Sequence, residues 1–247
     1  MNKIDKNYMV DSFNKVSNAY VNATSEVGLW NSEKDLILKY TNSKDDIILD
    51  MGCGAGRCAF GIEKLGFKNI EAIDFSPEMI KSAKNITEDT VVTFEIGDCT
   101  NIAKPDDYYD FAIFSFNGLM QIPKNENRLK ALKELKRVLK NNAILIFTSH
   151  DRDNGNEKYK QLWIDEKIEW DNNLNDPRLH DYGDVITFDD ADDVEYFIHI
   201  PSYEEVLNLI NESGLKLVDS FIRDKQYKEK KEVYNFSDNC RFWIVKK

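Results

Sequence analysis

From residue 46 to residue 150, apolar runs of strand length alternate with amphipathic stretches of helical period. Ile47-Ile48-Leu49, Ile70 to Ile73, Val91 to Ile96, Phe111 to Phe116 and Ala143 to Phe147 are short and rich in β-branched and aromatic residues. That pattern predicts strands near 46–51, 70–74, 91–96, 109–116 and 142–149. Between them, 57–65, 77–85 and 125–140 read as helices. Leu129, Leu132, Leu135 and Val138 recur at core spacing, with Lys130, Lys133, Glu134 and Arg137 on a solvated face. Strands alternating with helices require right-handed crossovers, hence an α/β fold with a doubly wound, mostly parallel sheet. Ligands of such sheets lie beyond the carboxyl ends of the strands.

The flanks read differently. Residues 1–45 are polar with scattered Tyr8, Met9, Phe13, Val16, Tyr20 and Trp30, then Leu36, Ile37 and Tyr40, which suggests two or three helices forming an N-terminal cap. After 150 the alternation breaks. Residues 151–182 carry Tyr159, Trp163 and Trp170 among many Asn and Asp; Val185–Phe188 and Val194–Ile200 read as a hairpin around an acidic turn, Asp189 to Asp193. Such a turn usually serves solubility and edge protection. Long connections are functional or disordered, and these aromatics disfavour disorder, so 151–200 is expected to be an inserted substrate cap. From 201 the core resumes. Ser202 and Glu205 form a capping box, a helix runs to Gly214, and strands at 215–222 and 241–245 are expected to complete a seven-stranded sheet with an antiparallel edge. Residues 46–150 and 201–247 thus form the core.

At 247 residues the chain makes one embellished domain. Its charge of −11 and pI near 4.9 argue against a nucleic-acid surface, whose affinity rests on basic patches. Cys53, Cys58, Cys99 and Cys240 form no CxxC pair, and His150, His180 and His199 are isolated, so neither a metal site nor a disulfide framework is expected. With no apolar leader and no run long enough to span a membrane, a reducing, cytoplasmic setting is the expectation.

The chemistry concentrates on Asp50-Met51-Gly52-Cys53-Gly54-Ala55-Gly56-Arg57, a strand running into a glycine turn and then a helix whose free N–H groups suit a polar ligand. A dinucleotide fingerprint wants G-x-G-x-x-G, whereas Gly52, Gly54 and Gly56 give G-x-G-x-G behind an acid, which weakens an NAD-type oxidoreductase reading. Asp74, at the second strand's end, is placed to accept from both hydroxyls of a ribose; Ser76 before Pro77 already supplies the helix cap that would be its alternative role.

The glycine stretch closely resembles motif I, (D/E)-x-G-x-G-x-G, of the class I S-adenosylmethionine-dependent methyltransferases, matching at every defined position. The resemblance is strong over 46–150 and rests on pattern alone over 201–247. It implies a Rossmann-like methyltransferase fold, S-adenosylmethionine as cofactor, and methyl transfer to a small-molecule acceptor at O or N; the alternatives are a protein or RNA acceptor. Gly97-Asp98-Cys99 resembles the family's G-D motif, where the aspartate meets the adenine amino group, though Gly-Asp is also common turn chemistry. Phe116 and Asn117 resemble motif IV, beside the methionine amine and the transferred methyl. The cofactor-binding set expected on this resemblance is Asp50, Gly52, Cys53, Gly54, Gly56, Arg57, Asp74, Phe75, Met79, Asp98, Cys99, Phe116 and Asn117, with Tyr20 and Trp30 contributed by the N-terminal helices. Arg57 would pair with the cofactor carboxylate or serve a surface role. No nucleophile–base set is evident. His150, His180 and Tyr182 are the available proton acceptors, each also readable as structural.

Overall fold

The computed structural model describes residues 3–155, 157–189 and 194–247. Helices α1 (Lys6–Lys15), α2 (Ser17–Glu26) and α3 (Asn31–Tyr40) precede β1 (Ile47–Met51), α4 (Arg57–Lys64), β2 (Asn69–Asp74), α5 (Pro77–Ile86), β3 (Val92–Ile96), β4 (Tyr109–Phe114), α6 (Asn125–Val138) and β5 (Leu139–Ser149). Then follow α7 (Glu157–Asp171), β6 (Asp184–Asp189), β7 (Val194–His199), α8 (Tyr203–Ser213), β8 (Lys216–Ile222), the short α9 (Arg223–Gln226) and α10 (Lys231–Phe236), and β9 (Arg241–Lys246).

Seven strands pair in the order β3-β2-β1-β4-β5-β9-β8, with β1 to β5 parallel. Successive strand residues face opposite sides. Ile48, Phe111 and Ile146 therefore pack beneath Ile37, Ala59 and Ile80 of α3, α4 and α5. Leu49, Ala112 and Leu145 pack against Leu132, Leu135 and Ile210 of α6 and α8. The chain leaves β1 toward β2 on one side and returns to β4 on the other, which opens a crevice above the carboxyl end of β1.

Several boundaries and one strand position differ from expectation. β9 is antiparallel to both β5 and β8 and lies between them, so the antiparallel strand is internal, with Phe242 to Val245 fully buried, and β8 forms the edge. α6 stops at Val138 because Leu139 is already extended and pairs with Tyr109, starting β5 early. β4 stops at Phe114, before Phe116 (φ 53°) and Asn117 (φ 62°), whose left-handed backbone ends the strand.

The segment after β5 contributes α7 and a separate two-stranded sheet, β6–β7; of the expected acidic turn, Asp189 to Asp193, Asp189 ends β6 and 190–193 lie outside the described residues. Ile4 N–H donates to Arg178 O at 3.0 Å, and Tyr8 Oη to Glu195 at 3.0 Å. Ile4, Met9, Phe13 and Val16 share one apolar cluster with Met79, Leu179, Val194 and Phe197. The N-terminal helix and the hairpin thus form one layer. Asp184 ties the hairpin down, accepting from His199 Nδ1 at 2.8 Å and from the backbone of His180 and Asp181, while Arg128 of α6 reaches Asp181 at 2.7 Å.

Candidate functional site

The glycine turn is pinned to the end of β2. Gly52 and Cys53 N–H donate to Ile73 O at 2.7 and 3.1 Å, and Gly54 N–H donates to Asp74 Oδ2 at 2.9 Å. Gly52 and Gly54 have φ of +65° and +53°, and a Cβ would stand 2.5 Å from the Phe114 ring at the first and 3.3 Å from Tyr20 at the second. Both positions therefore need glycine. Gly56 (φ +88°) turns into α4, and a Cβ there would meet Phe60 and Phe94 at 2.9 Å, so its requirement comes from the core and it does not line the cleft.

Asp50 is 1% exposed, and its Oδ2 has no hydrogen-bond partner. Burial pushes its carboxyl up to about 8, against the opposing pull of the Arg57 charge. A buried acceptor left unpaired is costly, and a donor entering from the adjoining cavity relieves it.

The cleft has two lobes sharing Tyr20, Gly52, Gly54, Ser115 and Phe116. The larger, about 600 Å³, is completed by Phe13, Asp74, Phe75, Met79, Cys99 and Gln121. The smaller, about 390 Å³, is reached by Asp50, Cys53, Arg57, Cys58 and Phe236. Asp74 Oδ1 accepts from Ser76 N–H at 2.9 Å; burial lifts its carboxyl to about 6 although backbone N–H bonds oppose the shift. Ser76 caps α5 through Met79 N–H, as the sequence suggested.

Four expected residues do other work. Trp30 is 0% exposed and lies behind the cleft, edge-on to Phe116 and Phe242 between the guanidinium groups of Arg57 and Arg223. Arg57 is committed to Glu33 through two 2.7 Å bonds and to Gly28 O at 2.8 Å, so it is not free to take a ligand carboxylate. Asp98 closes its own turn on Thr100 and pairs with Lys6 at 2.7 Å, and it faces a neighbouring 670 Å³ recess with Phe75 and Cys99. Asn117 is 4% exposed and lines neither lobe; its Nδ2 lies 3.2 Å from His150 Nε2, and its Oδ1 has no partner. Glu33 was missed. Fully buried, it accepts from Arg57, Trp30 N–H and Ser115 Oγ; burial alone would raise its carboxyl, but the Arg57 charge and these bonds hold it below the ordinary value. Its only sequence signal is an acid in the first turn of a helix.

The proton-acceptor candidates separate cleanly. His180 Nε2 bonds to Ile4 O at 2.6 Å and tethers the N-terminal segment, and Tyr182 Oη donates to Trp163 O at 2.8 Å. Both are structural. His150 opens on a third cavity of about 1520 Å³, beyond Asn117 from the cleft, and burial lowers its pKa toward the neutral imidazole. Tyr159, Trp163, Val185 and Ile198 of the 151–200 segment form part of that cavity's wall.

Residues 48–142 match a family model described as a methyltransferase domain. The uncharacterized protein MJ1252 of Methanocaldococcus jannaschii is 28% identical over 193 residues, covering 76% of this chain and 68% of that protein. The probable methyltransferase LtbC of Aspergillus luteorubrus is 33% identical over 124 residues, 46% of this chain, and the match spans less than half (43%) of its length. The crystal structure of an S-adenosylmethionine-dependent methyltransferase from Methanosarcina mazei superposes with a TM-score of 0.67 at 19% identity, covering 86% of this chain and 96% of that one, and shares its fold. The glycine turn, the strand order and these matches agree: residues 48–142 carry a methyltransferase domain, on a fold shared with S-adenosylmethionine-dependent methyltransferases.

Proposed function

We propose that the chain transfers the methyl group of S-adenosylmethionine to a small-molecule acceptor, at oxygen or nitrogen, with the cofactor above β1, β2 and β4 and the acceptor beneath the 151–200 segment. The observation that carries this reading is the unpartnered Oδ2 of Asp50 in a cleft floored by glycines. It fits the cofactor's ammonium group, which supplies the missing donors and the compensating charge.

The bound cofactor supplies a methyl group already activated on a sulfonium, so the protein's work is positioning and exclusion of water. Asp74 spends two of its roughly four acceptor positions on Gly54 and Ser76 N–H. The others remain for a ribose diol. Phe75, Met79 and Cys99 offer apolar surface for the adenine ring. Phe116 and Asn117 hold left-handed backbone where β4 meets the cleft, the kind of strained geometry found at working sites. His150, which borders the third cavity, is the candidate to take a proton from the acceptor, exchanging its contact with Asn117 to do so. Phe13 of α1, in the layer that α1 shares with the hairpin, lines the larger lobe, which favours a small acceptor over a protein or RNA.

The test has two steps. S-adenosylhomocysteine at about 100 times its dissociation constant adds about 2.7 kcal/mol, roughly 5 to 10 °C of melting temperature in a chain this long, and NAD adds nothing. Radiolabelled methyl donor is then incubated with the protein and, separately, with metabolite, protein and RNA fractions. Label entering the metabolite fraction supports the reading; label entering only protein or RNA overturns it.

A further inference from the structure

We infer that the 1520 Å³ cavity binds an organic cation with an apolar body, an amphipathic amine. That this amine is the methyl acceptor rests on the function proposed above; its charge class rests on the cavity itself.

The apolar wall comes from three places: Leu162 and Trp163 on α7, Val185 and Ile198 on the hairpin, and Ile222 and Cys240 at the ends of β8 and β9. A flat or branched hydrocarbon body fits such a lining. The charges decide what else the ligand carries. Asp151 is neutralised by Arg241 at 2.7 Å. Arg152, the one arginine lining the cavity among the described residues, is bound to Glu205 at 2.6 Å and to Ile200 O at 2.9 Å, and its guanidinium lies 4.6 Å over the Tyr182 ring. Two lining carboxylates, Glu166 and Asp238, have no ion pair or side-chain hydrogen bond among the described residues. Burial and the nearby Glu169 raise the Glu166 carboxyl, the response of an acid whose charge nothing offsets. His150, kept toward neutrality by burial, adds no positive charge. Among the described residues the lining therefore holds two carboxylates without an ion pair, the half-buried Glu166 and the exposed Asp238, against one ammonium at the rim, Lys225, which bonds to Asn154 at 3.2 Å. A cation gains from both carboxylates, whereas an anion is repelled; the Trp163 ring already has the Arg152 guanidinium 5.9 Å from its centroid. The wall also meets the transfer site, because His150 bonds to Asn117, which stands between Phe116 and Gly118 of the cofactor cleft.

The experiment titrates the full chain, without cofactor, with three probes sharing one ring: 2-phenylethylamine, 2-phenylethanol and phenylacetate. Calorimetry is expected to show the amine binding about tenfold or more tighter than the alcohol, with no saturable binding of phenylacetate. Glu166→Gln and Asp238→Asn are each expected to reduce that preference several-fold, and the double variant to abolish it, in proteins whose melting temperature is unchanged. Equal binding of amine and alcohol, tighter binding of phenylacetate, no saturable amine binding at millimolar concentration, or a preference surviving in the double variant would overturn the inference. Titration of the same samples with S-adenosylhomocysteine reads the cofactor site separately. Loss of that binding with the amine preference intact would strike the methyltransferase reading alone.

Discussion

The proposed cofactor side and the proposed acceptor side are built in opposite ways. On the cofactor side, residues 50 to 56, 73 to 76 and 114 to 117 meet at neighbouring strand ends, and their bonds join the parallel strands that present them, such as Gly54 N–H to Asp74 and Gly52 N–H to Ile73 O. On the acceptor side the wall is held by partners remote in sequence: His180 to Ile4, Arg152 to Glu205, Arg128 to Asp181, Arg241 to Asp151. A site made of strand ends has one geometry, set by the sheet register. A site made of inserted segments is fixed by side-chain pairs that can be exchanged without disturbing the sheet, which suits a part that sets acceptor choice on a shared fold.

The sharpest way to break this contrast is at the glycine turn. Gly54→Val places a β-branched residue at φ +53°, within reach of Tyr20. Strain of about 1–3 kcal/mol plus lost cofactor space predicts a fall in affinity of roughly 100-fold or more. Normal S-adenosylhomocysteine binding by calorimetry would show that the turn is not the cofactor floor. Asp74→Ala comes next. It removes a charge-assisted grip and the Gly54 anchor, and affinity is expected to fall about 10- to 150-fold, more than the fold is destabilised. An unchanged dissociation constant in a folded variant would reduce Asp74 to a turn residue.

Asp50 sharpens the contrast through pH. Its folded pKa, about 8, lies above the unfolded value of about 3.9. The folded protein therefore retains a proton that the unfolded chain releases, and the native state loses stability as pH rises from about 4 to about 8. Asp50→Asn removes that loss, so urea unfolding at pH 8 should find the variant more stable than the parent, with the gap closing toward pH 4. A gap that widens toward low pH would mean that the parent's carboxylate is stabilised by folding. The smallest effect is expected on the acceptor side, where Tyr182→Phe removes one hydrogen bond to Trp163 O. About 1 kcal/mol of stability should be lost, with turnover nearly unchanged. A large loss of turnover would return Tyr182 to the list of proton acceptors.

The same contrast explains what the sequence revealed. The strand–helix alternation, the glycine turn, Asp74 and the Ser76 cap depend on neighbours a few residues apart or on strand ends, and period and spacing expose them. The roles of Arg57, Trp30 and Asp98 depend on Glu33, Arg223 and Lys6, whose proximity exists only after the helices have packed. No spacing rule pairs Lys6 with Asp98. The place of β9 inside the sheet was hidden for the same reason, since periodicity shows that a strand is buried but not which strands flank it. His150 and His180 were indistinguishable as isolated histidines. One borders a cavity, and the other ties down the N-terminal segment.

The most direct test of the division is a pair of calorimetric titrations with S-adenosylhomocysteine. Asp50→Asn keeps the shape of the cofactor cleft but removes the carboxylate, and Trp163→Ala alters only the acceptor wall. Asp50→Asn is expected to weaken binding by about 10- to 150-fold, and Trp163→Ala to leave the dissociation constant within about twofold of the parent while lowering methyl transfer. Equal losses of affinity in both variants, or full affinity in Asp50→Asn, would contradict that division.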